Sequence, residues 1–577
     1  MKITFDQAFE DEVLAKVSPD IFWPNLEVIY KDTKNSGSPE EFAAIDFVRS
    51  KLDEYGVQST IHRYQGFLSY PISGKVEVTS QNGRYIQAKT RAFSANTPPE
   101  GVEGEVVYIP GGKDMFTDKE TMKTLEATDL RGKIVLTEGG GRQNMIFAQK
   151  KGAIGYIHMW PSEEDVIHEG IVTSIWGTPT PEKLSSLLTI PVLSIKNKDG
   201  MELIESLKKE TVIVRMYSVT DTRWREQHLL EAVIPGKTDE FILVGGHIDS
   251  WHQGATDNVT GNTTCLELAR VLKSVQPSLI RGVKICWWPG HSTGRYGGST
   301  WYCDNNWLEL HKNCIAYVNI DSPGPLGATD YSEVTAVAES RDLESSVIKK
   351  VIGVDPVCER PVRAGDQSFW GPGLTSMYML LSNLPKEKRA RVGGSGYGWW
   401  WHTEEDTIDK IGKNELVADI KIYLLSVLRM CSLPLIPLNI GKAAAELREF
   451  VAGYDRKGEG LFDLSAVYHA LDQLDAAIRQ FTAKREALPE GAETEPFNRA
   501  LSAALRSLTT INYTYVGEFE HDPAVPATPL ALLADTAKLP KMRGQDDIGF
   551  VLTKLVRNRN SVVYHIEKAA NHLLAVL

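Results

Sequence analysis

Cysteine is scarce in this sequence, with six residues in 577 and no CxxC pair among them. This spacing is typical of free buried thiols, and it excludes a small scaffold held together by disulfides. No apolar run approaches the ~18 residues that a membrane-spanning helix needs. The opening residues, MKITFDQAFEDEVLAKV, also lack the apolar segment of a secretory signal. We therefore expect a cytoplasmic protein with no membrane partner.

An excess of positive charge is also missing. Lysine and arginine number 63 against 75 acidic residues, which gives a net charge of -12 at pH 7. A surface of this sign does not attract nucleic acid, so we expect no nucleic-acid partner. Tryptophan, in contrast, is plentiful, because the chain has 13 and several of them are clustered.

Hydrophobic patterning divides the chain into regions that differ in their predicted secondary structure. Residues 14–66 are predicted to be helical, because FAAIDFVRSKLDEYG spaces its apolar residues at helical intervals and ends at Gly56. From about residue 70, KVEVTSQNGRYIQAKTRAF alternates around an Asn-Gly turn, which predicts a β-hairpin and then short strands to about residue 220. The C-terminal region carries apolar stripes at helical spacing, so we expect helices that pack on each other or on a second subunit.

Between these regions the pattern is that of an α/β domain. The continuous apolar runs FILVGG, GVKICWW, CIAYVNI and TSMYMLL are typical of strands that are covered on both faces. NTTCLELARVLKS is an amphipathic helix between the first two of them. Strands that alternate with helices predict a mostly parallel sheet.

Side chains that can hold a metal ion follow these strands. His247 comes directly after the first run, Asp249 and Asp257 follow it, and Asp321 follows CIAYVNI, while His402 lies in WWWHTEED. Ligands bind at the carboxyl ends of strands in open α/β sheets, and zinc accepts histidine nitrogen and aspartate oxygen. The sequence therefore predicts a metal site at this edge, with Asp249 as the group that orients a histidine ligand.

The motifs GGHIDSW, GATDNVTGNTTCLELAR, YVNIDS and HTEEDTIDKI resemble those of the co-catalytic zinc peptidases of the aminopeptidase and glutamate carboxypeptidase type, whose superfamily includes the transferrin receptor. The resemblance implies a mostly parallel, peptidase-like α/β domain split into residues 1–66 and 222–438. It also implies a β-rich protease-associated insert at 67–221. A helical dimerisation domain is implied at 439–577, so we expect a homodimer through the C-terminal helices.

The resemblance also implies roles for the metal-binding candidates. His247 and Asp321 would hold one ion, Asp257 would bridge two ions, and His402 would hold the second ion together with a glutamate. Asp249 matches the aspartate that supports the first histidine. The expected cofactor is zinc, with iron or manganese as alternatives, bound as one or two ions. In the family, a glutamate beside the metal is the general base for the attacking water.

The sequence departs from the family where a Glu-Glu pair is expected after the next strand. The segment CWWPGHSTGRYGGSTW carries no carboxylate, and His291, Ser292 and Thr293 stand in the place of the pair. Two alignments are open: either Ser292 and Thr293 fall on the pair, or His291 falls on the base and Ser292 on the ligand. Because the loss of an anionic ligand weakens the second site, we expect a single ion.

The role of the glutamate in proton transfer is then either reassigned to another group or lost. A histidine with a pKa of ~6.5 is a competent acid–base at neutral pH, so His291 is a candidate base or an additional ligand. His252, five residues after His247, is a second candidate for either role. The alternative for His291 is a polar loop residue in a catalytically dead homologue.

Other residues near these motifs are candidates for substrate binding. They are aromatic residues beside the metal motifs and polar residues of the loop RAGDQSFW: Trp251, Tyr296, Arg363, Asp366, Gln367, Tyr397 and Trp401. Because several tryptophans lie near the motifs, we expect an aromatic-walled pocket.

We therefore predict a metal-dependent hydrolase that cleaves an amide bond in a small-molecule or peptide substrate of aromatic or apolar character. Two alternatives are open. One is a lyase that uses a single ion and a histidine base. The other is a non-catalytic homologue of receptor or scaffold type.

Overall fold

The computed structural model describes residues 3–111, 119–138, 142–524 and 528–577. Three helices open the chain: α1 (Gln7–Leu14), α2 (Pro19–Tyr30) and α3 (Pro39–Glu54). The side chain of Ser38 accepts a hydrogen bond from the backbone N–H of Glu41, which satisfies one of the free donors at the start of α3. Strand β1 (Gln58–Val78) follows. The prediction of helix up to residue 66 is therefore wrong from Gln58 onward.

The next elements lead from β1 to a second long strand, β7. In chain order they are β2 (Arg84–Thr90), β3 (Val102–Tyr108), α4 (Lys119–Ala127), β4 (Lys133–Thr137), α5 (Arg142–Lys150), β5 (Gly155–Met159), β6 (Val192–Ile195), α6 (Asn197–Leu207) and β7 (Ile213–Ile234). Residues 79–212, between the two long strands, are called the insert below. The hairpin predicted around the Asn-Gly turn is confirmed, because β1 and β2 pair antiparallel and both Asn82 and Gly83 have positive φ.

The central elements include the strands predicted from the apolar runs. They are β8 (Phe241–His247), α7 (Thr260–Ser274), β9 (Gly282–Trp288), α8 (Gly297–Asn305), α9 (Trp307–Asn313), β10 (Cys314–Asn319), β11 (Glu333–Thr335), α10 (Arg341–Ile352), β12 (Val357–Glu359), β13 (Thr375–Met377) and α11 (Lys413–Ser432). Four long helices lie in the C-terminal region: α12 (Ile440–Gly458), α13 (Ser465–Glu486), α14 (Glu495–Tyr513) and α15 (Ile548–Leu574).

Most strands join one sheet, in the order β1-β2-β6-β5-β4-β3-β7-β9-β8-β10-β13. Within it, β9, β8, β10 and β13 run parallel, and so do β3, β4, β5 and β6. The predicted α/β class with a mostly parallel sheet is confirmed. Its largest apolar core is shared by the strands around β8, the helices packed on them and the C-terminal helices.

The two long strands connect the parallel strands around β8 to the insert. β1 and β7 pair antiparallel from Gln58 opposite Val233 to Val78 opposite Val214. β7 also pairs with β9 near one end and with β3 near the other. The predicted boundaries after residues 66 and 221 fall inside this ribbon, and the division into domains stays a prediction. Among the helices of the described residues, none combines the length and apolar character that a membrane crossing requires.

Candidate functional site

Three neighbouring parallel strands end at the same edge of the sheet. β8 ends at His247, β9 ends at Trp288 shortly before His291, and β10 ends at Asn319 shortly before Asp321. Because the strands are parallel and adjacent, the residues that follow them meet outside their carboxyl ends. This arrangement brings His247, His291 and Asp321 together although they lie far apart in the sequence.

Asp257 lies between two imidazole rings. His247 Nε2 lies 3.0 Å from Asp257 Oδ1, and His402 Nε2 lies 3.1 Å from Asp257 Oδ2. Asp321 Oδ1 lies 3.7 Å from His247 Nε2. The structure thus brings together the four residues that the sequence offers as metal ligands, and their role as ligands stays a prediction.

The other ring nitrogen of each histidine faces a backbone carbonyl. His247 Nδ1 lies 2.8 Å from the carbonyl oxygen of Asp249, and His402 Nδ1 lies 3.3 Å from that of Glu169. A carbonyl oxygen only accepts, so Nδ1 carries the hydrogen in both rings. In each ring, Nε2 then has a lone pair that faces a carboxylate oxygen of Asp257. Two acceptor atoms repel each other, so a proton or a metal ion is required between the nitrogen and the oxygen. Two imidazoles and two aspartates match the donors that zinc prefers.

The electrostatics of this cluster also favour a positive charge among its carboxylates. Burial lowers the pKa of His247, but the carboxylates of three nearby aspartates, Asp249 first among them, outweigh it and raise this pKa well above its ordinary value. Burial raises the pKa of Asp257, but the two histidines outweigh it and hold this pKa far below its ordinary value. Because buried carboxylates are costly without a counter-charge, the residues fit a divalent ion.

Asp249 holds the backbone of the segment that follows β9. Its Oδ1 accepts a hydrogen bond of 3.1 Å from the backbone N–H of His291, and its Oδ2 accepts one of 2.8 Å from that of Ser292. The hydroxyl of Ser36 donates to Oδ2 as well, at 2.8 Å. With its oxygens occupied by donors and its side chain buried, Asp249 is placed to fix backbone rather than to move a proton.

Asp406 supports the turn that presents Asp257, a role that sequence reasoning missed. Its Oδ1 accepts from the backbone N–H of Thr256 at 2.9 Å, and its Oδ2 accepts from that of Asp257 at 3.0 Å. The signal that could have found it is its place four residues after His402 in a motif already singled out.

His291 stacks on His247 and is paired with a carboxylate. The two ring centroids lie 3.8 Å apart with an angle of 17° between the planes. His291 Nδ1 lies 2.7 Å from Asp366 Oδ2, and the hydroxyl of Ser299 donates to Asp366 Oδ1 at 2.6 Å. Donor atoms of His247, His291 and Asp321 lie within 4.8 Å of one another. A ligand lone pair lies in the ring plane, however, so two nearly parallel stacked rings do not converge on one ion.

His252 lies to one side of this cluster. Its Nε2 is 3.2 Å from Glu169 Oε1, at the junction with the insert, and 3.8 Å from Glu404 Oε1. The structure does not bring it beside His247. Its role as base or ligand stays a prediction.

A cavity of about 110 Å³ lies beside the cluster. Its lining combines the candidate catalytic residues with apolar and aromatic walls: Ile171, Trp251, Asp257, His291, Ser292, Arg295, Tyr296, Asp321, Ala364, Gly365, Met379, Leu380, Gly393, Gly394, Trp401 and His402. Sequence reasoning missed Arg295, although it stands next to Tyr296 in the altered segment. It also missed Ile171, which the insert contributes and which no local pattern marks.

The other predicted substrate residues lie outside that lining. The guanidinium of Arg363 lies 4.2 Å from the ring of Trp176, and its Nε donates to the carbonyl of Asp522. Gln367 is buried and donates to the carbonyl of Tyr378. Tyr397 packs against the guanidinium of Arg389, and Asp366 acts on the cavity through His291. Trp287, Trp288 and Trp370 are core residues, so the aromatic part of the wall is Trp251, Tyr296 and Trp401.

Comparison with known proteins agrees with this geometry. Residues 230–425 match the family model described as Peptidase family M28. Probable glutamate carboxypeptidase VP8 from Zea mays is 22% identical over 344 residues, which cover 50% of this chain and 48% of that protein. Aminopeptidase YwaD from Bacillus subtilis is 26% identical over 361 residues, 60% of this chain and 71% of its own. The chain thus spans about half the length of the first of these relatives.

Solved structures share the fold. The aminopeptidase from Aneurinibacillus sp. strain AM-1 superposes with a TM-score of 0.56 and 19% identity, over 74% of this chain and 96% of its own. A zinc aminopeptidase from Bacillus subtilis gives a TM-score of 0.54 at 20% identity, over 75% and 97% of the two chains. The predicted resemblance to zinc peptidases is confirmed, and the chain is metallopeptidase-like.

Proposed function

We propose that this protein is a metal-dependent hydrolase that cleaves the amide bond of a small substrate. The observation that carries the proposal is the position of Asp257, whose two oxygens lie 3.0 and 3.1 Å from the Nε2 atoms of two histidines. The match of residues 230–425 to peptidase family M28 supports the same class of reaction.

One divalent ion, proposed to be zinc, would be held by His247, Asp257 and Asp321. When bound, the ion would polarise the scissile carbonyl and lower the pKa of the attacking water. A second ion would find His402 and the shared Asp257, and Ser292, which lines the cavity nearby, adds no charge. We propose single occupancy because two ligands hold zinc less well than three.

His291 is proposed to move the proton that a glutamate moves in the family. The carboxylate of Asp366 accepts from Nδ1–H at 2.7 Å, which leaves Nε2 to receive a proton. The same carboxylate stabilises the imidazolium that forms. Ser299 holds Asp366 in place through its hydrogen bond of 2.6 Å, so the pair is oriented before substrate binds.

In the proposed reaction, water adds its oxygen to the amide carbonyl carbon while His291 Nε2 takes one of its protons. The same nitrogen then gives that proton to the amide nitrogen as the C–N bond breaks. The products are a carboxylic acid and an amine, and water is the only co-reactant.

The cavity supports a compact substrate of apolar or aromatic character. Trp251, Tyr296, Trp401 and Met379 supply large apolar surfaces around a volume of about 110 Å³. Among the described residues of the lining, Arg295 is the one lysine or arginine. Its Nε and Nη2 donate to the backbone carbonyls of residues 173 and 171.

The proposal is tested with a panel of amides incubated in ¹⁸O-labelled water. The panel pairs aminoacyl anilides and N-acyl amino acids that carry aromatic, aliphatic or acidic side chains, and products are identified by mass spectrometry. We expect cleavage of aromatic or aliphatic members, with label in the carboxylic acid product, and zinc in the purified protein by elemental analysis. His291→Ala is expected to lose at least about 100-fold in kcat.

His469→Ala is the matched control, because His469 is an exposed histidine of α13, and it should keep full activity. Unlabelled fragments that sum to the substrate mass would instead show a lyase, which the histidine–carboxylate pair also suits. A chain that binds no zinc, manganese or iron and cleaves nothing in the panel would contradict the proposal and favour a binding protein. The expected homodimer and cytoplasmic location stay predictions.

A further inference from the structure

Four charged or titratable side chains meet where the insert contacts the catalytic part of the chain. Lys89 and Glu169 come from the insert, and His252 and Glu404 come from the loops that follow Trp251 and His402. These four residues are called the junction cluster. The proposed reaction does not use any of them directly.

The junction cluster is closely connected. Lys89 Nζ lies 2.9 Å from Glu169 Oε1 and also pairs with Glu404. His252 Nε2 lies 3.2 Å from Glu169 Oε1 and 3.5 Å from Lys89 Nζ. The side chain of Glu169 is 9% exposed, so its charge needs these partners.

The donor atoms of Glu169, His252 and Glu404 lie within 4.8 Å of one another, which on its own would suit a divalent ion. The ammonium of Lys89 already pairs with both carboxylates of this group. The positive charge is therefore supplied by the insert itself. Lys89 can pair with Glu404 only when the insert is docked. The junction cluster therefore couples docking of the insert to the loop that carries Glu404.

Glu169 also holds His402 through its backbone. Its N–H donates to the carbonyl of His402 at 2.8 Å, and its carbonyl accepts from His402 Nδ1 at 3.3 Å. The first contact fixes the main chain of the loop, and the second fixes the orientation of the ring. Nε2 of His402 is thereby directed at Asp257.

Residues next to the junction cluster form part of the cavity wall. Ile171, Trp251 and Trp401 line the cavity. Ile171 lies two residues after Glu169, and Trp251 comes directly before His252. Trp401 lies three residues before Glu404. A change in docking would therefore move His402 and three sides of the cavity together.

We propose that Lys89 and Glu169 are positioning residues, which dock the insert so that His402 faces Asp257 and Ile171 closes the cavity. The metal part of this inference rests on the proposed function, whereas the docking part does not. Lys89→Met and Glu169→Gln each remove charge from the junction cluster without touching a metal ligand. Lys89→Arg keeps the charge and serves as the conservative variant.

The first measurement is amide hydrogen exchange of the full metal-free chain, followed on peptides. In Lys89→Met and Glu169→Gln we expect faster exchange at 398–406 and 165–172, with unchanged exchange in β3–β6 and in α12–α14. Lys89→Arg should restore the wild-type rates. Lys133→Met, which breaks the ion pair with Glu105 inside the insert, is the matched control and should leave 398–406 unchanged.

The second measurement is the Kd for zinc, by competition with a chelator. His402 Nε2 contacts Asp257, which is one of the three proposed ligands of the ion, so we expect Lys89→Met and Glu169→Gln to weaken zinc binding by about 10-fold. Wild-type exchange at 398–406 in both variants would overturn the inference, and so would faster exchange across the whole insert. Wild-type protein that binds no zinc would contradict the proposed function and the metal part alone, while the exchange result would still decide the docking part.

Discussion

Replacing the carboxylate of Asp249 tests whether this side chain fixes the backbone of His291 and Ser292. Its two oxygens accept from the backbone N–H groups of His291 and Ser292, and its side chain is 1% exposed. Asp249→Ala leaves both donors buried without an acceptor. Asp249→Asn keeps one oxygen and turns an amide N–H₂ toward the other donor, so it leaves one donor unsatisfied.

The magnitude follows from counting these donors. Each buried unsatisfied donor costs about 1–3 kcal/mol, so Asp249→Ala should cost about 2–6 kcal/mol of stability and Asp249→Asn about half of that. Ser36→Ala removes a donor from an oxygen that still accepts from Ser292, and it also removes the acceptor of the Thr293 hydroxyl, so its expected cost is about 1–3 kcal/mol. The Ala variant is therefore expected to lose more stability than either the Asn variant or the Ser36 variant.

The assay is thermal unfolding of the metal-free chain, followed by tryptophan fluorescence. At about 2 °C per kcal/mol for a large domain, Asp249→Ala should melt about 4–12 °C below the wild type. Asp355→Ala is the control, because Asp355 is 68% exposed in its surface pair with Lys349, and it should melt like the wild type. An Ala variant as stable as the wild type, or an Asn variant less stable than the Ala variant, would refute the reasoning.

Three further outcomes are expected. Asp257→Asn removes the charge shared by both imidazoles, so elemental analysis should find most bound zinc lost, and wild-type content would contradict the site. Gly245→Ala would place a Cβ 2.3 Å from Trp288 Nε1, so a loss of about 1–3 kcal/mol is expected in unfolding experiments, and a neutral result would argue against this packing. Burial raises the pKa of Glu339 from 4.5 to about 7, so the folded chain binds this proton more tightly than the unfolded chain. The stability that Glu339 contributes should therefore be lost as the pH rises from 4.5 to about 7, and Glu339→Gln should remove this contribution from the pH dependence of the melting temperature; the same slope in both proteins would refute it.

The edge of the sheet that carries the candidate site could be predicted because the strands that form it are recognisable from their own sequences. β8, β9 and β10 are covered on both faces, so each is a continuous apolar run, and the polar residues that follow mark the ends. This is why His247, Asp257 and Asp321 could be placed together from the sequence. The pairing of His291 with Asp366 could not, because it depends on the course of the loop between β12 and β13.

The errors and omissions have a common physical origin in distant contacts. Residues 58–66 form strand because they pair with β7, far along the chain, and no local pattern reports that partner. Glu169 and Ile171 reach the site through docking of the insert. This contact joins segments far apart in the chain, so the pattern of a single segment does not predict it. Asp406 lay in a recognised motif, but its partner is the turn of Asp257, which lies about 150 residues earlier in the chain.

The ribbon of β1 and β7 has a consequence for the order in which the chain folds. Gln58 pairs with Val233 and Val78 with Val214, so β1 is synthesised long before its partner exists. Closing so long a loop is entropically costly and slow, unless the intervening chain has already become compact. A folded insert shortens that loop by bringing the start of β7 to the end of β1. Because β7 also provides the neighbour of β9, a folded insert would favour the pairing that completes the sheet beside the candidate site.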